Sequence, residues 1–163
     1  MLEMLNSRRT MILAGLMITM AAPAAGQSSP GNDMVAQINQ YRTKGTTCAR
    51  TGRYYPPVRP LRLNARLSQA ASDWSQRMAR SGSLAHGDPR SRIRAACPNP
   101  GLVGENIAYN PSASGAVRRW MTGSKGHCET IMTPSFAQAG VGYARGGFFG
   151  TGGYWTIDFA SRC

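Results

Sequence analysis

His127 and Cys128 stand next to each other in the stretch GSKGHCETIM, and both carry reactive side chains. Such a pair can be a nucleophile with its base, part of a metal site, or a histidine beside a structural disulfide. Neighbouring residues on a helix point about 100° apart, so these two side chains cannot easily face each other. The spacing therefore disfavours a Cys–His nucleophile.

Histidines and carboxylates are scarce in this chain, which has two histidines and seven acidic residues. The second histidine is His86, and Glu105 lies in the apolar stretch GLVGENIAY, where a lone carboxylate is costly unless it is paired or hydrogen-bonded. His86, His127 and Glu105, with an open position for water, would suit zinc or another divalent ion. The alternative is a buried polar cluster that fixes loops. Because the chain has no H-E-x-x-H spacing, both interpretations stay open.

The cysteines are Cys48, Cys97, Cys128 and Cys163. An even number in an exported chain indicates two disulfides, and four cysteines allow three pairings. The chain has no C-x-x-C motif, which disfavours a zinc ribbon or a thioredoxin-like site. Cys163 is the last residue, so we expect it to tie the end of a final strand to the body.

The N-terminus has the features of an export signal. Arg8 and Arg9 precede an apolar run at 11–22, and small residues then fit a signal-peptidase site near Ala24 or Gly26. The run is too short to span a membrane, although a permanent N-terminal anchor is the alternative. The stretch SRRTMIL also resembles a twin-arginine signal.

These features predict a signal peptide at 1–26, a flexible leader at 27–33 and one domain at 34–163. The mature protein is then expected to be secreted or periplasmic, with no transmembrane segment. The length of 163 residues suits one domain with a sizeable core rather than two.

The charge is strongly positive. The formal net charge is +12, and removal of the predicted signal peptide leaves +11. This balance favours anionic partners such as lipid head groups or acidic cell-wall polymers. Export and the lack of a recognition motif both argue against nucleic acid. The alternative is that the charge serves solubility and nonspecific adhesion.

Helices are predicted in the first half of the chain. Asn32 or Asp33 can cap a first helix with Met34, Ile38 and Tyr41 on one face. A loop rich in Gly, Pro and Arg follows. A second helix, ARLSQAASDWSQRMARSG, then begins at Asn64 and ends at Gly82. Its predicted buried face comprises Leu67, Ala70, Ala71, Trp74 and Met78.

Strands cluster in the second half. After a loop with His86 and a short helix near Cys97, GLVGENIAY is predicted as a strand. A helix over ASGAVRRWMTG buries Val117, Trp120 and Met121, and Ser124 can cap another helix, KGHCETIM. The strands AGVGYAR and YWTIDFA follow, joined by GGFFGTGG. This order predicts an α+β fold with helices packed on a small antiparallel sheet.

Several motifs follow one another along the chain. They are GENIAY, followed by Trp120, and then SKGHCETIM, GVGYA and YWTIDF. Their order resembles that of the CAP superfamily. This superfamily takes in cysteine-rich secretory proteins, antigen five, pathogenesis-related proteins and bacterial secreted SCP-like members. The resemblance covers about residues 34–160. It implies a three-layer α-β-α sandwich with a central antiparallel sheet, and a Cys48–Cys128 disulfide.

The resemblance also implies a central cavity with two histidines and two acidic residues, which holds zinc in some members. His86, Glu105 and His127 match three of these positions, and Ser124 begins the helix beside them. Gly123 stands where the second acid is expected. The implied site therefore has at most three of the four groups.

The leading functional prediction is a secreted binding protein for lipid, sterol or an anionic envelope polymer, with no assigned catalytic residue. Phe148 and Phe149 can contact lipid from the glycine-rich turn, or fold back on the core. One alternative is a metal-dependent hydrolase acting on an envelope substrate. Another is a cationic envelope-adhesion module, which would bind through the positive charge of arginines such as Arg90, Arg92, Arg94, Arg118 and Arg119.

Overall fold

The computed structural model describes residues 29–123, 125–146 and 150–163. The predicted signal peptide at 1–26, Ser124, Phe148 and Phe149 lie outside the described residues. The helices are α1 (Pro30–Lys44), α2 (Ala65–Ser81), α3 (Pro89–Ala96), α4 (Ala113–Thr122) and α5 (His127–Ile131). The strands are β1 (Thr46–Cys48), β2 (Arg53–Tyr55), β3 (Arg62–Leu63), β4 (Val103–Asn110), β5 (Gln138–Arg145) and β6 (Gly153–Ala160).

A four-stranded sheet with the order β3-β5-β6-β4 lies at the centre of the fold. Strand β6 pairs antiparallel with both β4 and β5 and is buried along its whole length. The two-residue β3 runs parallel to β5, a departure from the all-antiparallel sheet that the family resemblance implied. A separate hairpin, β1–β2, forms in the segment that was predicted as a loop. Strand β4 lies at one edge of the central sheet, where it pairs with β6.

Helices cover both faces of the sheet, so the predicted α+β fold with a three-layer sandwich is confirmed. On one face, α2 lies directly on β5 at two glycines. A Cβ added to Gly140 would stand 2.1 Å from the backbone of Leu67, and one added to Gly142 would stand 2.2 Å from that of Ala71. On the other face, α1, α4 and α5 enclose an apolar core that includes the fully buried Trp120. No helix among the described residues is both long enough and apolar enough to cross a membrane.

The capping side chains explain where the helices begin. Asn64 accepts hydrogen bonds from the backbone N–H groups of Arg66 and Leu67, and Gly82 ends α2 in the left-handed conformation, as predicted. Helix α1 instead begins earlier, at Pro30, with Ser29 as its N-cap, so the predicted cap at Asn32 or Asp33 is wrong.

Helix α5 begins at His127 rather than at Ser124. Its N-cap is Gly126, which is in the left-handed conformation and makes no side-chain cap. The predicted helix start at Ser124 is therefore wrong.

Two disulfides fix one helical layer each. Cys48 in β1 is bonded to Cys128 in α5, which is the pairing implied by the family resemblance. Cys97 at the end of α3 is bonded to Cys163, so the C-terminus is tied to the body of the fold as expected. Because Cys128 is oxidised and buried, it supplies no thiol, and the Cys–His nucleophile is excluded.

Candidate functional site

A pair of carboxylates lies at the centre of the candidate site. The register of β4 and β6 places Glu105 directly across from Asp158. The Glu105 side chain is 1% exposed and the Asp158 side chain is not exposed at all. Sequence reasoning identified Glu105 but missed Asp158. The signal was present, because Asp158 is the lone acidic residue in the otherwise apolar strand YWTIDFA.

Arg92 on α3 joins the two carboxylates. Its guanidinium contacts Glu105 Oε2 through Nη2, and it reaches both carboxylate oxygens of Asp158 at 3.4 Å. The guanidinium also lies over the ring of Trp74, 4.7 Å from its centroid. The adhesion alternative included the charge of Arg92, but this side chain is only 13% exposed and its charge is engaged inside the fold. Arg92 is therefore not available for adhesion at the surface.

His86 reaches the acid pair from the loop between α2 and α3. Its Nδ1 lies 2.5 Å from Glu105 Oε1, and about half of its side chain is exposed. Trp74 fixes this loop, since its indole N–H donates to the carbonyl of Ala85 at 2.9 Å and Gly87 lies against its ring. Trp74 was predicted to be a core residue. It is half-buried, packs against the cluster of Met78, Ile107 and Tyr154, and also positions His86.

His127 reaches the same edge of the sheet from the opposite layer. The side-chain amide of Asn106 donates to the backbone carbonyl of His127 at 3.1 Å. Because successive residues of a strand face opposite sides, Glu105 and Asn106 hold the two histidine segments on the two sides of β4. Asn106 Oδ1 is buried and has no hydrogen-bond partner among the residues that the structure describes. The two histidines therefore flank one edge strand.

The electrostatic environment shifts the pKa values of the acid pair upward. Burial, followed by the charge of Asp158, raises the pKa of Glu105 to about 8, against the opposing effect of Arg92. Burial raises the pKa of Asp158 to about 6, again opposed by Arg92. These raised pKa values favour the retention of one proton by the pair at neutral pH. With Arg92 charged, the cluster then has no net charge.

The surroundings lower the pKa values of both histidines, which favours the neutral form. The pKa of His86 is lowered by burial and by Arg92. The pKa of His127 is lowered by burial first, then by His86, Lys125 and Arg119, while Glu129 acts in the opposite direction. These causes place His127 among positive neighbours. An anion bound there would reverse the shift by stabilising the protonated rings.

The acid that the family resemblance implies at position 123 is absent, and the local packing explains why a glycine fits there. Gly123 ends α4, and its N–H donates to the carbonyl of Arg119 at 3.0 Å. A Cβ at this position would lie 2.7 Å from that same carbonyl oxygen. The second carboxylate of this site comes instead from Asp158 on β6.

The predicted zinc ligands are His86, Glu105 and His127, and the structure brings His86 and Glu105 into contact. Among the described residues, however, no group of three or more His, Cys, Asp or Glu side chains is arranged to hold a metal ion. Glu105 is engaged by both Arg92 and His86, so a permanent positive charge already lies beside the carboxylate that a metal would need. As placed, these residues do not fit a divalent ion.

The sequence matches a known protein family and a bacterial relative. The family model described as the cysteine-rich secretory protein family, CAP, matches residues 35–159. Protein YkwD of Bacillus subtilis (strain 168) is 27% identical over 148 residues, which cover 86% of this chain and 55% of that protein. The chain thus spans about half the length of this curated relative.

Solved structures show the same fold. An outer surface protein from Borrelia burgdorferi superposes with a TM-score of 0.65 at 15% identity, covering 80% of this chain and 91% of that one. An extracellular protein containing an SCP domain from Bacillus anthracis str. Ames gives a TM-score of 0.58 at 20% identity, covering 85% of this chain and 45% of that one. At these identities the likeness concerns the fold alone.

Proposed function

This chain belongs to the cysteine-rich secretory protein (CAP) family, and on that premise we propose that it is an exported binding protein. Its ligand is an anionic group, held between His86 and His127 at the edge of β4. The observation that carries the proposal is the attachment of the two histidine segments to adjacent residues, Glu105 and Asn106. The charge of His86 acts on His127, so the two imidazoles come within reach of one ligand around the edge of β4.

We call the space between His86 and His127 at the edge of β4 the cleft, and the charges around it favour an anion. Lys125 and Arg119 lie close enough to His127 to lower its pKa, and His86 does the same. Neutral imidazoles donate one hydrogen bond each, and protonated ones donate two, so binding of an anion draws protons onto the rings. The strongly basic composition adds a long-range attraction for polyanions.

Location outside the cytoplasm is part of the proposal. The predicted signal peptide at 1–26 supports it, as does the likeness to an outer surface protein and to an extracellular SCP-domain protein. Export by the twin-arginine route rests on Arg8 and Arg9 alone. In that location the anionic groups within reach are phosphates and carboxylates of lipid head groups or envelope polymers.

Binding can be measured with two sources of the same chemistry. Vesicles of phosphatidylglycerol present phosphate on a membrane, whereas soluble polyphosphate presents it without one. We expect both to bind, more tightly at about pH 5.5 than at about pH 7.5, because protonated histidines hold an anion more strongly. His127→Ala should weaken binding about tenfold, since a hydrogen bond to a charged group contributes roughly 1.5–3 kcal/mol.

Arg118→Ala is the matched control, because Arg118 is exposed on α4 and its loss removes one positive charge outside the cleft. Equal losses in His127→Ala and Arg118→Ala would contradict a specific cleft and support adhesion through surface arginines. Binding to vesicles alone would identify a lipid surface as the source, and binding that does not fall with salt would exclude the charge attraction.

Hydrolysis is a second candidate function, favoured by the contact between His86 and Glu105. An ionised carboxylate that accepts a hydrogen bond from Nδ1–H leaves Nε2 free to act as a base. Because the pKa of Glu105 is raised to about 8, this arrangement forms at mildly alkaline pH. Turnover of ester or peptide libraries should then disappear in Glu105→Gln while the circular dichroism spectrum is unchanged. Turnover that survives this substitution would remove the candidate.

A further inference from the structure

The buried acid pair of Glu105 and Asp158 needs a nearby positive charge to be stable. Two carboxylates that face each other across β4 and β6 repel one another and lose hydration, and both effects oppose burial. In proteins such pairs are stabilised by a bound cation, by a proton, or by a basic side chain. The identity of that positive charge decides whether the cleft depends on a metal.

Arg92 provides the charge from within the chain. Its Nη2 contacts Glu105 and lies 3.4 Å from Asp158 Oδ1, while its Nε lies 3.4 Å from Asp158 Oδ2. The guanidinium thus sits between the two carboxylates. The other arginines of α3, Arg90 and Arg94, are exposed.

Two further contacts fix the guanidinium in place. Helix α3 is tied to the C-terminus through the disulfide of Cys97, so the helix that carries Arg92 cannot easily move away from β6. The guanidinium lies over the ring of Trp74, and the indole N–H of Trp74 is itself bonded to the loop that carries His86. Arg92, Trp74 and His86 therefore form one connected unit around the acid pair.

We infer that Arg92 is a built-in cation that takes the position a divalent ion would need at the acid pair, and that the cleft binds its ligand without a metal. The inference rests on the cleft described under Proposed function and deepens it. Arg92 is a positioning residue here, because it holds Glu105, and Glu105 holds His86. The imidazoles of His86 and His127 then bind the ligand.

Removal of divalent ions tests the first half of the inference. The wild-type protein dialysed against EDTA should have the same melting temperature as untreated protein. Calorimetric titration of the wild type with ZnCl2 should show no saturable binding heat that depends on Glu105, so the wild type and Glu105→Gln should give the same titration curve. A drop of several degrees after EDTA, or tight zinc binding that depends on Glu105, would overturn the inference. Neither measurement involves the anionic ligand, so failure here is distinguishable from failure of the proposed function.

Replacement of the guanidinium tests the second half. In Arg92→Gln the two carboxylates lose their partner, and together with His86 they should bind Zn²⁺ at least tenfold more tightly than the wild type. Arg90→Gln, on the same helix but exposed, should behave as the wild type. A folded Arg92→Gln variant without this gain would contradict the inference. If Arg92→Gln does not fold, the wild-type measurements with EDTA and zinc decide the question.

Discussion

The two faces of the central sheet differ in what they bury. The face under α1, α4 and α5 carries one continuous apolar cluster, which includes Trp120 and Phe159. The face under α2 and α3 carries two small apolar clusters, one around Leu67 and one around Met78. The acid pair and Arg92 lie between these small clusters. The face under α1, α4 and α5 therefore carries the main apolar core, whereas the face under α2 and α3 carries a buried polar site between two smaller apolar clusters.

The buried arginines sharpen the contrast. Arg42 on the apolar side is fully buried and donates to the backbone carbonyls of Arg59, Ile131, Thr133 and Phe136, and burial lowers its pKa to about 10. Arg92 on the other side is bound by carboxylates. The backbone carbonyls around Arg42 do not titrate, so this arginine only holds loops together. The carboxyl groups around Arg92 can gain or lose protons. The same residue type thus serves structure on one face and the site on the other.

The largest expected effect compares the tryptophans of the two faces. Trp120→Ala should lower the free energy of unfolding by about 3–5 kcal/mol, because it empties a fully buried site and removes the bond to the carbonyl of Ile107. Trp74→Ala should cost only about 1–2 kcal/mol, since the ring is half-buried and makes one hydrogen bond. Urea denaturation measures both.

The effects of the two substitutions on His86 should have the opposite order. Trp74→Ala should change the NMR signals and the pKa of His86, whereas Trp120→Ala should leave them unaltered in the folded fraction. Equal losses of stability, or a His86 signal that moves in neither variant, would contradict the division between the two faces.

A smaller effect is expected from pH, and its sign follows from the raised pKa of Glu105. A carboxyl group whose pKa is raised on folding contributes stability at low pH, and that stability is lost as the pH rises through the folded value of about 8. Between about pH 7 and about pH 9 the histidines and Asp158 are already deprotonated, so Glu105 dominates. The free energy of unfolding should fall by about 1.4 kcal/mol over this range.

Glu105→Gln removes the titrating group and should flatten this pH profile. Denaturation curves at the two pH values measure the difference directly. A wild-type stability that rises toward about pH 9 would show that Glu105 is already ionised at neutral pH, and would contradict the interpretation of the acid pair.

The smallest expected effect compares two glycines with the same backbone conformation. Gly82 and Gly87 have φ values of 68° and 60°, so alanine at either position costs about 1 kcal/mol for the backbone alone. A Cβ at Gly82 meets no atom within 4 Å, whereas at Gly87 it would lie 2.4 Å from the Trp74 ring. Only Gly87→Ala should therefore displace Trp74 and weaken polyphosphate binding, and equal binding by both variants would contradict a role for this contact.

Local chemistry made much of the fold predictable. The amide of Asn64 caps α2, Gly82 ends it, and the apolar spacing that buries Val117, Trp120 and Met121 defines α4. These features depend on residues within a few positions of each other, so the sequence shows them directly. The errors at α1 and α5 also concern local caps, where Ser29 and Gly126 were not considered.

The site was predictable only in part. Glu105 and His86 were identified because rare residue types in apolar or loop surroundings draw attention, and the structure places them in contact. The partner of Glu105 was sought at position 123, and it lies instead at Asp158. Arg92 was grouped with four other arginines as a charge for adhesion, because helical spacing does not reveal which of several arginines faces inward.

The sequence by itself determined the longer helices and strands, the caps of α2 and the residue types available for chemistry, because these depend on neighbours along the chain. The tertiary structure decided which charges meet. Arg92 and Asp158 are 66 residues apart, and only the register of β6 against β4 and the packing of α3 bring them together. Strand register and helix packing depend on contacts between distant segments, and no pattern within one segment records them.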